Sequence, residues 1–282
     1  INRGKLVLCS LPIGNYDDIT INVLNALRDC AVIVSEDTRS IKSLILKLGF
    51  SLQGKKIYSY HDQSKDSDLK KIIDILMSGE NLYYFSEAGS PVISDPAYPL
   101  IQAAYINGVE VVSYPGPCSI IAALELSGLP SIPFQFGGFF PREKKKILML
   151  IEKMSLMQGT FVYFESPKRI AKLLDLFEEI LDKTMFPNSI CLVREITKVN
   201  QQVIHLNKEN FVSERARVKL LGEFVVLVYY KDGTFDFSKV TDLRDLSKSI
   251  LENGVNKKVL AKLIANIVGE SSKNIYQKLN LK

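Results

Sequence analysis

Residues Lys5 to Glu36 read KLVLCSLPIGNYDDITINVLNALRDCAVIVSE, and this stretch decides the fold. An apolar run, KLVLCSL, stops at a loop containing Pro12 and Gly14. A helically spaced segment follows with Ile19, Val23, Leu24 and Leu27 on one face, and a second apolar run, AVIVSE, closes the unit. Strand, loop, helix and strand in about 30 residues form the parallel crossover unit. Working outward, SIKSLILKLGF is a helix that Gly49 stops, and KIYSY is a strand. A helix over Leu69 to Met77, the strand NLYYFSE, a helix from about Pro96 and the strand VEVVSY follow. Five largely apolar strands alternating with helices predict an α/β fold whose parallel sheet is covered on both faces.

After PGPCS the rhythm changes. A helix over Ile120 to Leu126 leads through SGLPSIP and FQFGGFF to a charged helix from Arg142. TFVYFESP, SICLVREITK, QQVIHL and GEFVVLVYY are four more strands, two in direct succession, which suits a mixed sheet. The expected organisation is a first α/β domain over 1–115, a second over 116–231, a linker from Asp232 to Phe237 and a basic helical extension over 238–282. In the extension, one helix is expected around Leu243 to Leu251. Another carries Val255, Val259, Leu263 and Ile267, and a short last helix starts at SSKNIYQKL.

The composition narrows the class. The chain has 282 residues, 46% hydrophobic and 24% charged, enough for two compact domains. No apolar run approaches the roughly 20 residues that cross a bilayer, and the N-terminus enters a strand too early for a signal peptide. Cys9, Cys30, Cys118 and Cys191 form no CxxC pair and read as reduced, mostly buried thiols of a cytoplasmic protein. With only His61 and His205, a histidine-rich metal site is not expected. From Lys239 to Lys282 nine Lys/Arg face four Asp/Glu, so the whole net charge of +5 sits in the extension. That segment is either an RNA-facing surface or a solvated lysine-rich helix face.

The loops at the carboxyl ends of the five strands are unusual: LPIGNYDD, SEDTRS, SYHD, SEAGSPVISDP and YPGPCS. Ligands collect at that edge of open α/β sheets. Neither GxGxxG after the first strand nor GxxxxGK[ST] occurs, so the ordinary dinucleotide and P-loop signatures are absent. Small residues admit a ligand close to the backbone, and prolines hold one loop shape. For any single loop, a plain chain turn explains the Gly and Pro as well; five such loops on one edge point to a binding site.

LCSLPIGNYDDIT, VSEDTRS, SYHDQS, SEAGSPVISDPAY, YPGPCSIIAAL, GGFFPR, YFESPKR, VREITK and GEFVVLV occur in an order that resembles the ribosomal RNA small-subunit methyltransferase I family. That family is of the tetrapyrrole-methylase type, and the resemblance runs from about Lys5 to Tyr229, with a similar basic extension. It implies two α/β domains with S-adenosylmethionine between them, usually in a homodimer. It also implies methylation of a cytidine ribose 2′-hydroxyl near the decoding centre of small-subunit (16S) ribosomal RNA. This chain has Glu87-Ala88-Gly89-Ser90-Pro91 where the family usually has Asp-Ala-Gly-Thr-Pro, Asp95-Pro96-Ala97 for Asp-Pro-Gly, and Pro117-Cys118-Ser119 for Ala-Ser-Ala.

By resemblance, the donor is flanked by Pro12, Ile13 and Gly14 and by Glu87, Ala88, Gly89, Ser90 and Pro91. Cys118, Ser119, Phe164, Val193, Leu221 and Gly222 complete its pocket, although Phe164 and Val193 read equally well as plain core. A ribose hydroxyl is a poor acid, so a base or an alkoxide-stabilising cation is needed. The candidates are Glu165, Arg194, Glu195 and Lys198, with Asp37 and Arg39 in the first domain as further options; the residues alone do not choose. Asp95 reads as a residue serving its own loop. The Glu165 and Arg194 clusters would converge if their strands are neighbours. Arg39, Arg142, Lys144, Lys145, Lys168 and Arg169 sit beside the motifs as RNA phosphate contacts, against the plainer reading of REKKK as a solvated helix start. His61 reads as a hydrogen-bonded structural histidine. Two other readings stay open: a methyltransferase of the same fold acting on a tetrapyrrole or diphthamide precursor, and a noncatalytic RNA- or nucleotide-binding module.

Overall fold

The computed structural model describes residues 3–61, 63–94, 97–231 and 256–279, and among these ten strands form two sheets. In the first, β1 (Lys5–Cys9), β2 (Val32–Ser35), β3 (Lys56–Ser59), β4 (Leu82–Phe85) and β5 (Glu110–Tyr114) are all parallel, in the order β3-β2-β4-β1-β5. Alternation along β1 sends Val7 and Cys9 to one face and Leu6 and Leu8 to the other. On the first face lie α1 (Ile21–Asp29) and α2 (Thr38–Lys47), held by Val23, Leu27, Ile41 and Ile45. On the second lie α3 (Asp66–Met77) and α4 (Ala97–Ile106), held by Ile72, Leu76, Leu100 and Ala104.

This order fixes where a ligand can enter. The crossovers through α1 and α2 carry the chain towards β3, and those through α3 and α4 carry it back towards β5. β1 and β4 are therefore neighbours whose following helices lie on opposite faces. That is a topological switch point, and it leaves a crevice at their carboxyl ends.

The second sheet is mixed, in the order β6-β7-β10-β8-β9. Its strands are β6 (Phe134–Phe139), β7 (Gly159–Glu165), β8 (Ser189–Arg194), β9 (Gln202–Leu206) and β10 (Phe224–Tyr230). Only β6 and β7 pair in parallel. The sequence accounted for four of these strands; FQFGGFF supplies the fifth. Its glycine pair weakens the strand signal, yet the strand depends on it. A Cβ on Gly137 would lie 2.2 Å from the Tyr163 ring, and the register with β7 shifts between Phe136 and Phe139.

One face of this sheet is covered by α5 (Ser119–Ser127) through Ile120, Ala123 and Leu124. The other is covered by α6 (Lys144–Ser155), α7 (Pro167–Glu179) and the short α8 (Phe211–Arg215). Neither α7 nor α8 was expected from the sequence. Cys9, Cys30 and Cys191 are buried free thiols, and burial pushes Cys30 up to about 11 and Cys191 up to about 12.

Residues 1–232 form one compact unit and 233–282 another. In the second unit, α9 (Lys257–Val268) starts at an Asn256 cap and ends at Gly269, whose φ is 68°. Ser271 caps α10 (Ser272–Lys278). Ala261 and Ala265 pack with Ile275, whereas Val259 and Leu263, expected on the apolar stripe, are exposed. Leu260 is buried and Ile264 packs against the same cluster, so the buried stripe runs one residue on from the expected one. The linker and the helix expected around Leu243 to Leu251 lie outside the described residues, as do Val255 and Asp95. No described helix is long and apolar enough to cross a membrane.

Candidate active site

Three loops meet at the crevice. Leu11 N donates to Gly89 O at 3.1 Å and Gly89 N to Leu11 O at 2.9 Å, a two-bond bridge between the loops after β1 and β4. Ser86 Oγ donates to Gly89 O at 2.5 Å. Gly89 has φ 72°, and an added Cβ would stand 3.3 Å from Ile13 Cγ2 and 3.7 Å from the Pro117 carbonyl, in the loop after β5. Only glycine serves here without strain.

The turn after β8 closes on the first loop. Asn15 N donates to Thr197 Oγ1 at 3.1 Å, and a Cβ on Gly14 would fall 2.5 Å from Lys198 Cγ. Lys198 Nζ binds Glu195 Oε1 at 3.0 Å and Glu223 Oε2 at 2.7 Å. Glu195 Oε1 also accepts from Glu223 N at 2.9 Å. The φ of 85° at Gly222 passes the chain beside this carboxylate, since a Cβ there would lie 2.5 Å from Glu195 Cδ. Among the described residues, four non-glycine positions have positive φ: Val92, Ser94, Glu195 and Thr197. All four fall in the two loops that flank the crevice. Such backbone is costly, most of all for β-branched Val and Thr, and it concentrates at functional sites.

The electrostatics sort the acids and bases. The Glu223 backbone N–H holds the Glu195 carboxyl below its usual range, with Lys198 assisting, so Glu195 stays ionised and is a weak base. Burial alone would lower Lys198, but Glu223 and Glu195 outweigh it and hold the ammonium above its ordinary value. Burial pushes Glu165 up, against the pull of the Ser166 N–H and Arg169. Asp37 is lowered by the Arg39 backbone N–H and side chain, the work of an α2 N-cap rather than of a base.

A cavity of about 540 Å³ opens beside the bridge. Pro12, Ile13 and Gly14 form one wall, and Ser86, Glu87 and Ala88 the next. Ser40, Ser43 and Lys47 line it from α2, and Lys198 and Glu223 close it from the second sheet. Ile13 lines the cavity and also packs against an apolar cluster that includes Cys118, Phe164 and Val193. Of the donor residues expected from the sequence, five therefore face the cavity (Pro12, Ile13, Gly14, Glu87 and Ala88). Gly89, Cys118, Phe164 and Val193 are not among its lining residues; Gly89 approaches Ile13, and the other three belong with Ile13 to the same apolar cluster. Ser90 and Pro91 continue the loop after β4, and Ser119 begins α5. Leu221 is largely exposed, and with Gly222 it forms the turn beside Glu195.

The expected convergence of the Glu165 and Arg194 clusters does not occur, because β10 runs between β7 and β8. Glu165 is buried, accepts from Ser166 N at 2.8 Å and pairs with Arg169 at 3.1 Å. Arg169 also donates to the carbonyls of Phe140 and Pro141, tying the start of α7 to the GGFFPR turn. Arg194 is buried too and donates to the carbonyls of Leu221 and Asn200. Both arginines position turns. Of the RNA candidates, Arg39, Arg142, Lys145 and Lys168 are exposed, and Lys144 is exposed but pairs with Glu179 at 2.7 Å. His61 Nδ1 accepts from Gln63 N at 3.2 Å, consistent with a structural histidine. Sequence reasoning missed Tyr16, Ser40, Ser43, Lys47 and Glu223. The i, i+3, i+7 spacing of the three α2 residues was the available signal.

Comparison with known proteins agrees with this architecture. The family profile described as Tetrapyrrole (Corrin/Porphyrin) Methylases matches residues 5–211. A Hydrogenobaculum sp. protein named Ribosomal RNA small subunit methyltransferase I is 37% identical over 232 residues, covering 82% of this chain and 97% of its own. Its Thermotoga maritima namesake is 35% identical over 230 residues, covering 81% and 100%. The solved structure of the methyltransferase CobJ superposes with a TM-score of 0.58 at 18% identity, covering 80% of this chain and 94% of that one, a likeness of fold. The chain belongs to the tetrapyrrole methylase family and, within it, to the ribosomal RNA small-subunit methyltransferase I family.

Proposed function

We propose that this protein transfers the methyl group of S-adenosylmethionine to the ribose 2′-hydroxyl of a cytidine near the decoding centre of small-subunit ribosomal RNA, and that it acts as a homodimer. The observation that carries the reading is the identity of 35–37% over four-fifths of the chain to relatives of that name.

The residues fit the donor. The Leu11–Gly89 bridge presents backbone groups at the switch point, Gly89 leaves the space a side chain would take, and Ile13, Cys118, Phe164 and Val193 offer apolar walls. When bound, the donor supplies an electrophilic sulfonium methyl, so positioning and exclusion of water provide much of the acceleration. Glu87, exposed on the loop after β4, is placed to hold a cationic group. Of Glu165, Arg194, Glu195 and Lys198, Lys198 lines the cavity, as does Arg39 of the first domain, and the neighbours of Lys198 keep it protonated. It therefore serves as a cation stabilising the developing alkoxide. Arg194 serves by fixing the turns beside it, and Glu165 by holding Arg169 at the start of α7.

The test uses purified protein, labelled S-adenosylmethionine and ribosomal subunits from cells lacking this modification. Label is expected in small-subunit RNA and not in large-subunit RNA. Transfer to a tetrapyrrole or a protein instead would replace the reading with one of its same-fold rivals. Sedimentation of the free protein is expected at the mass of a dimer.

A further inference from the structure

We infer that the cavity between the first loop and α2 receives a nucleotide of single-stranded RNA, and that the donor lies across Ile13 from it. This rests on the proposed RNA methylation and deepens it by assigning the acceptor its own compartment.

Charge argues first. Arg39 and Lys47 stand at the cavity's α2 wall with Lys198 and the carboxylates Glu87 and Glu223. Lys198 pairs with Glu195 and Glu223, and Arg39 with Asp37, while Lys47 has no carboxylate partner among the described residues. Lys47, with the solvent-facing guanidinium of Arg39 beside it, suits a phosphodiester at the α2 side of the cavity, away from Glu87 on the loop after β4. Shape argues next. Tyr16 lines the mouth, is 55% exposed, and carries Lys47 Nζ at 5.7 Å from its ring centroid. An exposed ring beside a cation is a platform for an unstacked base. Ser40 and Ser43 are exposed on the same wall. Their short side chains leave room and offer hydroxyls to ribose or base edges. A volume of about 540 Å³ accommodates one nucleotide, and the exposed rim lets a chain enter and leave. Ile13 borders both this cavity and the apolar cluster that holds Cys118, Phe164 and Val193. An acceptor here thus shares the walls formed by Ile13 and Glu87 with a donor held against that cluster.

The experiment compares wild type with Ser43→Arg, Lys47→Glu and Tyr16→Ala, all changed at exposed positions. It uses calorimetry with S-adenosylmethionine and single-turnover methylation across small-subunit and salt concentrations. Donor affinity is expected to stay within about twofold for all three. Ser43→Arg should abolish methylation by filling the cavity. Tyr16→Ala and Lys47→Glu should raise the half-saturating subunit concentration about tenfold, with the salt slope shallower by about one for Lys47→Glu. Loss of donor binding in Ser43→Arg would make the cavity the donor pocket, and wild-type methylation by that variant would make it irrelevant; either result overturns the inference. Wild-type protein that binds donor but methylates no small-subunit RNA would instead defeat the functional reading, and the inference with it.

Discussion

Glu165 on β7 and Arg194 on β8 stand at the same level of the second sheet, on either side of Phe224 of β10, which registers with both. Two strand spacings, roughly 10 Å, separate their backbones. One holds Arg169 and the α7 start; the other holds the Leu221–Gly222 turn. Separate networks should respond separately. In denaturant melts, the losses from Glu165→Gln and Arg194→Ala are expected to add within about 0.5 kcal/mol in the double variant. A coupling above about 1 kcal/mol would mean that the two clusters communicate through β10.

Gly89→Ala tests the three-loop junction. The left-handed backbone penalises an L side chain by about 1–2 kcal/mol, and the new methyl meets Ile13 at 3.3 Å. A modest fall in melting temperature and a donor affinity weakened at least tenfold are expected by calorimetry. A variant that melts lower yet binds donor normally would remove this loop from the donor site.

Glu165 gives a pH signature. Its folded pKa is raised by burial, so its contribution to stability is fully present below the ordinary carboxylate range and is lost as pH rises through the raised value. Across that window wild type should lose stability relative to Glu165→Gln, which carries no titrating group. Parallel stability curves for the two proteins would show that Arg169 and Ser166 fully offset the burial.

Lys198→Met removes the cation from the cavity wall while keeping the stem that packs on Gly14. Single-turnover methylation is expected to fall about a hundredfold, a scale typical of one lost charge stabiliser. Subunit affinity should move much less. A near-normal rate would shift the alkoxide-stabilising role to Arg39 or Lys47.

The first sheet was legible because β1, β2 and β4 are buried on both faces and read as continuous apolar runs. The second was less so: β6 is an edge strand interrupted by the glycines that let it pass Tyr163, and a glycine pair looks like a turn. The loops proposed to hold the donor were visible through their Gly and Pro content and through resemblance. Lys47 and Tyr16 were not, since a helix-surface lysine and a loop tyrosine have no local signature until folding sets them 5.7 Å apart. The insertion of β10 between β7 and β8 is a long-range pairing that no local pattern encodes. It keeps the two expected clusters apart, two strand spacings from one another.

The atom that receives the methyl group distinguishes this reaction from its rivals. Small subunits lacking the modification, incubated with this protein and S-adenosylmethionine, should yield one 2′-O-methylcytidine per subunit on nucleoside mass spectrometry, mapped to the decoding region by its resistance to alkaline cleavage. A methyl group on a base, on a ribose of the large subunit, or on no RNA at all would contradict the account.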